Sequence, residues 1–316
     1  MESKIRLGVS TCLLGERVRH DGGHKLDRFI RDVLGRYVEY VPVCPEVECG
    51  FSTPRESLRL VGEVDSPRLM TSRTQHDVTD QMQTWARERV RELEKENLCG
   101  FIFKSNSPSS GMERIRVYDK HGVPTKKGVG VFARMFMEHF PLLPVEDDGR
   151  LNDLPLRENF IERVFAFKRW QEVAAQGKTR GNLVRFHSEH KLLILSHSPK
   201  HARPLGKLVA DAKQHAPSDL YAQYQALFME ALRLKATVRR HCNTLQHVMG
   251  FFKKDLSPDE KQELLEVIDQ YRAGYVPLIV PITLLNHYVR KYGPDYLAQQ
   301  YYLHPHPIEL SLRTHI

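Results

Sequence analysis

Three short apolar runs stand out in the first hundred or so residues, and each ends in a loop of small, polar or sulfur-bearing residues. Ile5-Arg6-Leu7-Gly8-Val9-Ser10 runs into Thr11-Cys12-Leu13-Leu14-Gly15. Val38 to Val43 runs into Cys44-Pro45-Glu46-Val47-Glu48-Cys49-Gly50, and Cys99-Gly100-Phe101-Ile102-Phe103-Lys104 into Ser105-Asn106-Ser107-Pro108-Ser109-Ser110-Gly111. Short β-branched and aromatic runs bounded by turn residues predict buried strands. Open α/β sheets keep their chemistry at the C-terminal ends of the strands, so the three loops are expected to share one crevice.

Between these runs the period changes. Lys25 to Leu34 reads as a helix stopped by Gly35, and Thr79 to Glu96 as a longer one with Met82, Trp85, Val90 and Leu93 on its buried face. Gly111 to Tyr118 alternates Met112, Ile115 and Val117 with Arg114 and Arg116. Lys126-Lys127-Gly128-Val129-Gly130 is expected to open a helix running from Val131 to His139, and Val145 to Arg150 closes the unit. This β-α order with short connections predicts an α/β Rossmann-like N-terminal domain around a small, mainly parallel sheet, without the Gly-x-Gly-x-x-Gly dinucleotide fingerprint.

From Leu156 the pattern is helical. Leu156 to Val173 forms a helix, and Ala174 to Gly181 a polar linker. Helices are then expected over Leu183 to Leu195, Pro199 to Lys213, Ser218 to Lys235, Thr237 to Lys254, Ser257 to Arg272, Pro277 to Tyr292 and Pro294 to Tyr301, several of them opening on Ser or Pro. The expected organisation is an α/β domain over 1–150, a connecting helix and linker over 151–181, and an all-α domain over 182–316.

Composition narrows the class. With 41% hydrophobic and 27% charged residues the chain is globular, and a formal charge of +8 favours an anionic partner, nucleic acid first. No segment has the length and apolarity of a membrane span and the N-terminus has no signal core, so a cytoplasmic location is expected. There, the five cysteines are more apt to be free, metal-bound or catalytic than disulfide-paired. Eleven of the sixteen histidines follow Gly181, but His187/His190 and His197/His201 have generic spacings, and Pro199 interrupts the second pair; no second metal is expected.

Cys12, Cys44 and Cys49 carry the strongest chemical signal, because all three lie in turns beyond strand ends, and thiolates select zinc or iron–sulfur clusters. The absence of a Cys-x-x-Cys pair disfavours a zinc finger. Ser10-Thr11-Cys12-Leu13-Leu14-Gly15, Cys44-Pro45-Glu46-Val47 with Pro54-Arg55, and Phe103-Lys104-Ser105-Asn106-Ser107-Pro108-Ser109-Ser110-Gly111 resemble the three motifs of the thiouracil desulfidase (TudS) family. Phe186-His187-Ser188-Glu189-His190-Lys191, Val276 to Pro281 and His304 to Leu310 resemble the helical, YbgA-like domain fused to it in RudS proteins, which are implicated in converting 4-thiouridine in tRNA to uridine.

That resemblance implies a [4Fe-4S] cluster held by three cysteines, with an open iron that takes the thiocarbonyl sulfur. Cys12 and Cys44 match two of the ligands; Ser110 stands where the family has the third. Cys49 is the expected substitute, with serine oxygen ligation, an incomplete cluster or loss of activity as alternatives. The resemblance also gives Glu46 the role of acid and base and Ser107 that of an assisting serine. Glu48 is a second carboxylate of lesser weight. Arg17, Arg19, Arg55, Lys104 and Ser105 are expected to bind substrate, and Arg114, Lys126 and Lys127 to add positive charge nearby. The basic helical half, with Arg239, Arg240, Lys253 and Lys254, is expected to dock tRNA through phosphates. Desulfuration of a free thiolated base or nucleoside, and a non-catalytic RNA-binding role, are the alternative readings.

Overall fold

In the computed structural model, which describes residues 4–315, the chain forms two compact units, Met1–Asp153 and Leu154–Ile316. The first contains β1 (Ile5–Ser10), β2 (Val38–Val43), α1 (Pro45–Glu48), β3 (Leu58–Val61), β4 (Arg68–Thr71), α2 (Thr79–Glu94), β5 (Gly100–Phe103), β6 (Ile115–Tyr118), β7 (Pro124–Gly128), α3 (Val131–His139) and β8 (Val145–Asp147). The three runs that end in cysteine or serine loops pair in one all-parallel sheet of order β2-β1-β5-β8, in register Ser10 to Val43 and Val9 to Ile102. Every residue of β5 is buried, as a strand covered on both faces requires. Phe101, Phe103, Phe132 and Phe136 pack together over this sheet, Phe101 and Phe136 with ring centres 4.7 Å apart. Gly8 is where β1 meets that cluster: a Cβ there would fall 2.2 Å from the Phe101 ring.

A second four-stranded sheet, order β4-β3-β6-β7, was not expected. It is mixed, with β3/β4 and β6/β7 antiparallel and β3/β6 parallel. Its core of Leu60, Leu69, Ile115 and Val117 packs with Met82 of α2 and Val131 of α3. Lys126 and Lys127 therefore lie in β7 and do not open a helix. The side chain of Asp119 accepts from the backbone of His121 and Val123, and Gly122 has φ +77°; together they close a hairpin whose second strand is 124–128. Lys25 to Leu34 also departs from the expected helix, giving one π-helical turn over Phe29–Val33 followed by a 3-10 turn over Leu34–Arg36. The amides of Lys25 and Asp27 donate to the carbonyls of Cys12 and Leu13, so the entry to the helix is spent on fixing the Cys12 turn.

The second unit contains α4 (Leu154–Ala175), α5 (Arg180–His197), α6 (Pro199–Ala210), α7 (Pro217–Arg233), α8 (Val238–Gly250), α9 (Pro258–Arg272), α10 (Ile279–Tyr292) and α11 (Asp295–Ala298). The helix expected as a connector, α4, lies within this unit and supplies Trp170, which stacks on Tyr224 beside Phe186. Thr179, Ser198, Thr237 and Ser257 cap four of these helices with their side chains, Ser257 in a reciprocal pair with Glu260. Among the described residues no helix is long and apolar enough to cross a membrane.

Candidate active site

At the C-terminal ends of β1, β2 and β5 lies a crevice of about 480 Å³. Its lining draws on all three loops: Cys12, Cys44, Glu46, Lys104, Ser105, Ser107 and Ser110. The 3-10 turn Thr11–Leu14 buries Cys12 directly after β1. Cys44 is the N-cap of α1, and its amide donates to Glu48 Oε1 at 2.8 Å; its thiol lies 3.7 Å from Glu46 Oε2.

Glu46 is held from three sides. Ser109 Oγ donates to Oε1 at 2.5 Å, and Ser107 Oγ lies 2.9 Å from Ser109 Oγ, so the two serines form a chain that ends on the carboxylate. Arg55 Nη2 is 3.8 Å from Oε2. The Arg55 guanidinium is itself fixed by the carbonyls of Val18 (3.0 Å) and Ser52 (3.3 Å) and by Thr53 Oγ1 (3.2 Å). Lys104 is equally committed. Its Nζ lies 2.8 and 3.1 Å from the two oxygens of Asp148, whose Oδ1 also accepts from the Ser105 amide at 2.7 Å. Arg55 and Lys104 therefore brace the site, and their charges are largely matched within it.

Burial pushes the Cys12 thiol up to about 11 and the Cys44 thiol up to about 12, in each case against a nearby cation. Thiols so placed are poor free nucleophiles at neutral pH. They suit a metal centre, whose charge displaces both protons on binding. The donor set is two thiols and the Ser110 hydroxyl: it fits an iron–sulfur cluster at two corners and offers oxygen at a third. Among the described residues no group of three or more Cys, His, Asp or Glu side chains is arranged to hold a metal ion.

Cys49 is the clear departure from expectation. It does not line the crevice and packs instead against the Leu60, Leu69 and Met82 cluster, with its carbonyl accepting from Gln81 Nε2. Five residues beyond Cys44 along a helical turn, its side chain is rotated about 140° from the thiol it was to join. Glu48 caps Cys44 and pairs with Arg89 of α2 at 2.9 Å, away from the crevice. Arg17 is exposed and does not line the crevice, whereas Arg19 does, paired with Asp21 at 3.4 Å. Arg114, Lys126 and Lys127 are not among its lining residues. Sequence reasoning missed Ser109 and Asp148. Asp148 follows strand β8 at the same edge of the sheet, which was a usable signal; nothing distinguished Ser109 from its neighbouring serines.

Comparison with known proteins bears on both halves. Residues 7–148 match the family described as 2-thiouracil desulfurase, and residues 191–307 match a family described as a protein of unknown function, DUF1722. The uncharacterized protein YbgA of Escherichia coli is 37% identical over 157 residues, spanning 49% of this chain and 93% of YbgA. The uncharacterized protein YbbK of Bacillus subtilis is 32% identical over 108 residues, 33% of this chain and 71% of YbbK. Among solved structures, the [4Fe-4S]-dependent thiouracil desulfidase TudS is 29% identical, with a TM-score of 0.40, over 49% of this chain and 97% of that one.

Proposed function

Because the chain belongs to the 2-thiouracil desulfurase family through residues 7–148 and to the DUF1722 family through residues 191–307, we propose that it is a desulfidase that converts 4-thiouridine in tRNA to uridine. The observation that carries this reading is the meeting of Cys12, Cys44 and Glu46 in one crevice, with Ser107 and Ser109 in line behind the carboxylate.

The reaction replaces C=S by C=O, consuming water and releasing sulfide. A [4Fe-4S] cluster held by Cys12, Cys44 and Ser110 would supply a soft Lewis acid for the departing sulfur. The chain's own residues handle the water. Glu46 Oε1 is occupied by Ser109, which leaves Oε2 to take a proton from water as it adds to the thiocarbonyl carbon, and later to return that proton to the leaving group. Ser109 fixes the carboxylate's rotamer and Ser107 orients Ser109. Asp148 and Ser10 hold the strand end from which this loop departs, Ser10 Oγ accepting from the Lys104 amide at 2.9 Å. The helical unit would engage tRNA through its basic residues, by phosphate contacts that position the RNA without reading its sequence.

The test is anaerobic reconstitution with iron and sulfide, followed by incubation with 4-thiouridine-containing tRNA and quantification of the nucleosides. Loss of 4-thiouridine with a matching gain of uridine is expected, with little turnover of the free nucleoside. Equal turnover of free 4-thiouridine or 4-thiouracil would move the substrate to the free base or nucleoside. Failure to take up iron, together with unchanged tRNA, would leave the non-catalytic reading.

A further inference from the structure

The helical unit has its own cavity of about 360 Å³, within the range of small-molecule sites. Its floor is a buried ion network. Arg313 donates from Nη2 to Glu162 Oε1 at 2.6 Å, from Nε to Glu158 Oε1 at 3.2 Å and from Nη1 to the Tyr302 carbonyl at 2.6 Å. Glu162 Oε2 lies 3.0 Å from His197 Nε2, and His197 Nδ1 donates to the Leu234 carbonyl at 2.8 Å. Burial raises the proton affinity of Glu162, but Arg313 and His197 outweigh it and hold the carboxyl well below its usual range. These charges are matched among themselves.

Three polar groups on the wall are not matched. The Tyr271 hydroxyl and His241 Nε2 make no hydrogen bond among the described residues, and Glu158 Oε2 has only His315 Nε2, at 3.6 Å. All three side chains are more than nine-tenths buried. Leaving such groups dry and unpaired costs about 1–3 kcal/mol each, so a cavity that collects three of them is built for something that pairs with them. Burial, reinforced by the Glu162 charge, pushes the Glu158 carboxyl up, and burial brings the His241 imidazole down to about 3. At neutral pH the wall thus presents a carboxylic acid, a neutral imidazole and a phenol, each able both to donate and to accept. Val276 and Leu278 supply apolar surface beside them.

We propose that this cavity binds an uncharged planar heterocycle with a lactam edge, of the pyrimidine-dione class, held by Glu158, His241 and Tyr271 above the Arg313 network. A carboxylic acid meets the N–H and C=O of a lactam with two parallel hydrogen bonds, and the apolar wall covers the ring. An anion would face two glutamates, and a cation would find Glu162 already taken by Arg313 and His197. The site rests on the helical unit alone and stands whether or not the N-terminal crevice removes sulfur.

Isothermal titration of the full chain with uridine, putrescine and inorganic phosphate at pH 7 tests it. Uridine is expected to bind. Val276→Trp, which fills the cavity from a half-buried position, should remove that binding; Tyr271→Phe should weaken it about threefold to tenfold. Circular dichroism of each variant checks the fold, and if Val276→Trp does not fold, Tyr271→Phe decides. Uridine binding unaffected by both variants, no uridine binding, or putrescine or phosphate in place of uridine as the ligand lost in these variants would each overturn the proposal.

Discussion

Ser109 Oγ donates to Glu46 Oε1 at 2.5 Å, joining two loops 63 residues apart in the chain. The carboxylate is thereby set before any substrate arrives, with one oxygen spoken for and the other facing Cys44. Removing the tether leaves the acid present but free to rotate. Ser109→Ala is expected to lower kcat for desulfuration about tenfold with KM little changed, and Glu46→Gln to lower it by about 10²–10⁴. Steady-state kinetics on thiolated substrate check both; an unaltered kcat in Ser109→Ala would mean the serine chain plays no part.

The ligand set makes a second prediction. Cys12→Ala and Cys44→Ala should each abolish iron retention after anaerobic reconstitution. Cys49→Ser should retain the wild-type iron content, because Cys49 packs into the Leu60 cluster. Ser110→Cys should slow cluster loss on exposure to air, since a thiolate binds iron more tightly than a hydroxyl oxygen. Iron analysis and the visible absorbance of the cluster read all four.

Gly130 tests the packing that supports the serine loop. A Cβ there would fall 2.5 Å from the backbone oxygen of Ser109, which also accepts from the Ala133 amide. Gly130→Ala must displace the loop or the start of α3. It is expected to cost about 1–3 kcal/mol of stability and to reduce activity beyond that loss. Denaturant titration and kinetics on the same preparation separate the two effects.

The helical unit should weaken in mild acid. Burial lowers the imidazoles of His187 and His306 to about 4, that of His241 to about 3 and that of His190 well below its usual value. Folded-state values below the unfolded one mean that the stability is present above about pH 6.5 and is lost as pH falls toward the folded values, because the unfolded chain takes up protons first. Glu158, shifted up, acts in the opposite sense and offsets one of the four. The net slope is at most about 4 kcal/mol per pH unit below pH 6.5. Urea titrations followed by Trp170 fluorescence in a Trp85→Phe background should show a midpoint that falls between pH 7 and pH 5. A constant or rising midpoint would contradict the buried, neutral state of these rings.

Much of the fold was legible because burial leaves a period in the sequence. The runs ending at Ser10, Val43 and Phe103 are apolar throughout because both faces of the sheet are covered, and they pair as that pattern implies. The helices of the second unit carry their own caps and breaks, and their bounds fell within a few residues of expectation. Lys126 and Lys127 misled because their preference for a helix is weak, while pairing of β7 with β6 satisfies a whole strand of backbone groups. The turn before Phe29 misled because its amides are claimed by Cys12 and Leu13, far behind it in the chain.

By itself the sequence determined where the strands end, and therefore that Cys12, Cys44 and Ser107 lie on loops at one edge of a sheet. Only the tertiary structure decided what those loops do to one another. Ser109 reaches Glu46, Asp148 reaches Lys104, and Cys49 turns to the core, because direction depends on how segments tens of residues apart are clamped together. A one-dimensional pattern records which positions avoid water; it does not record which partner a polar side chain will meet once they have.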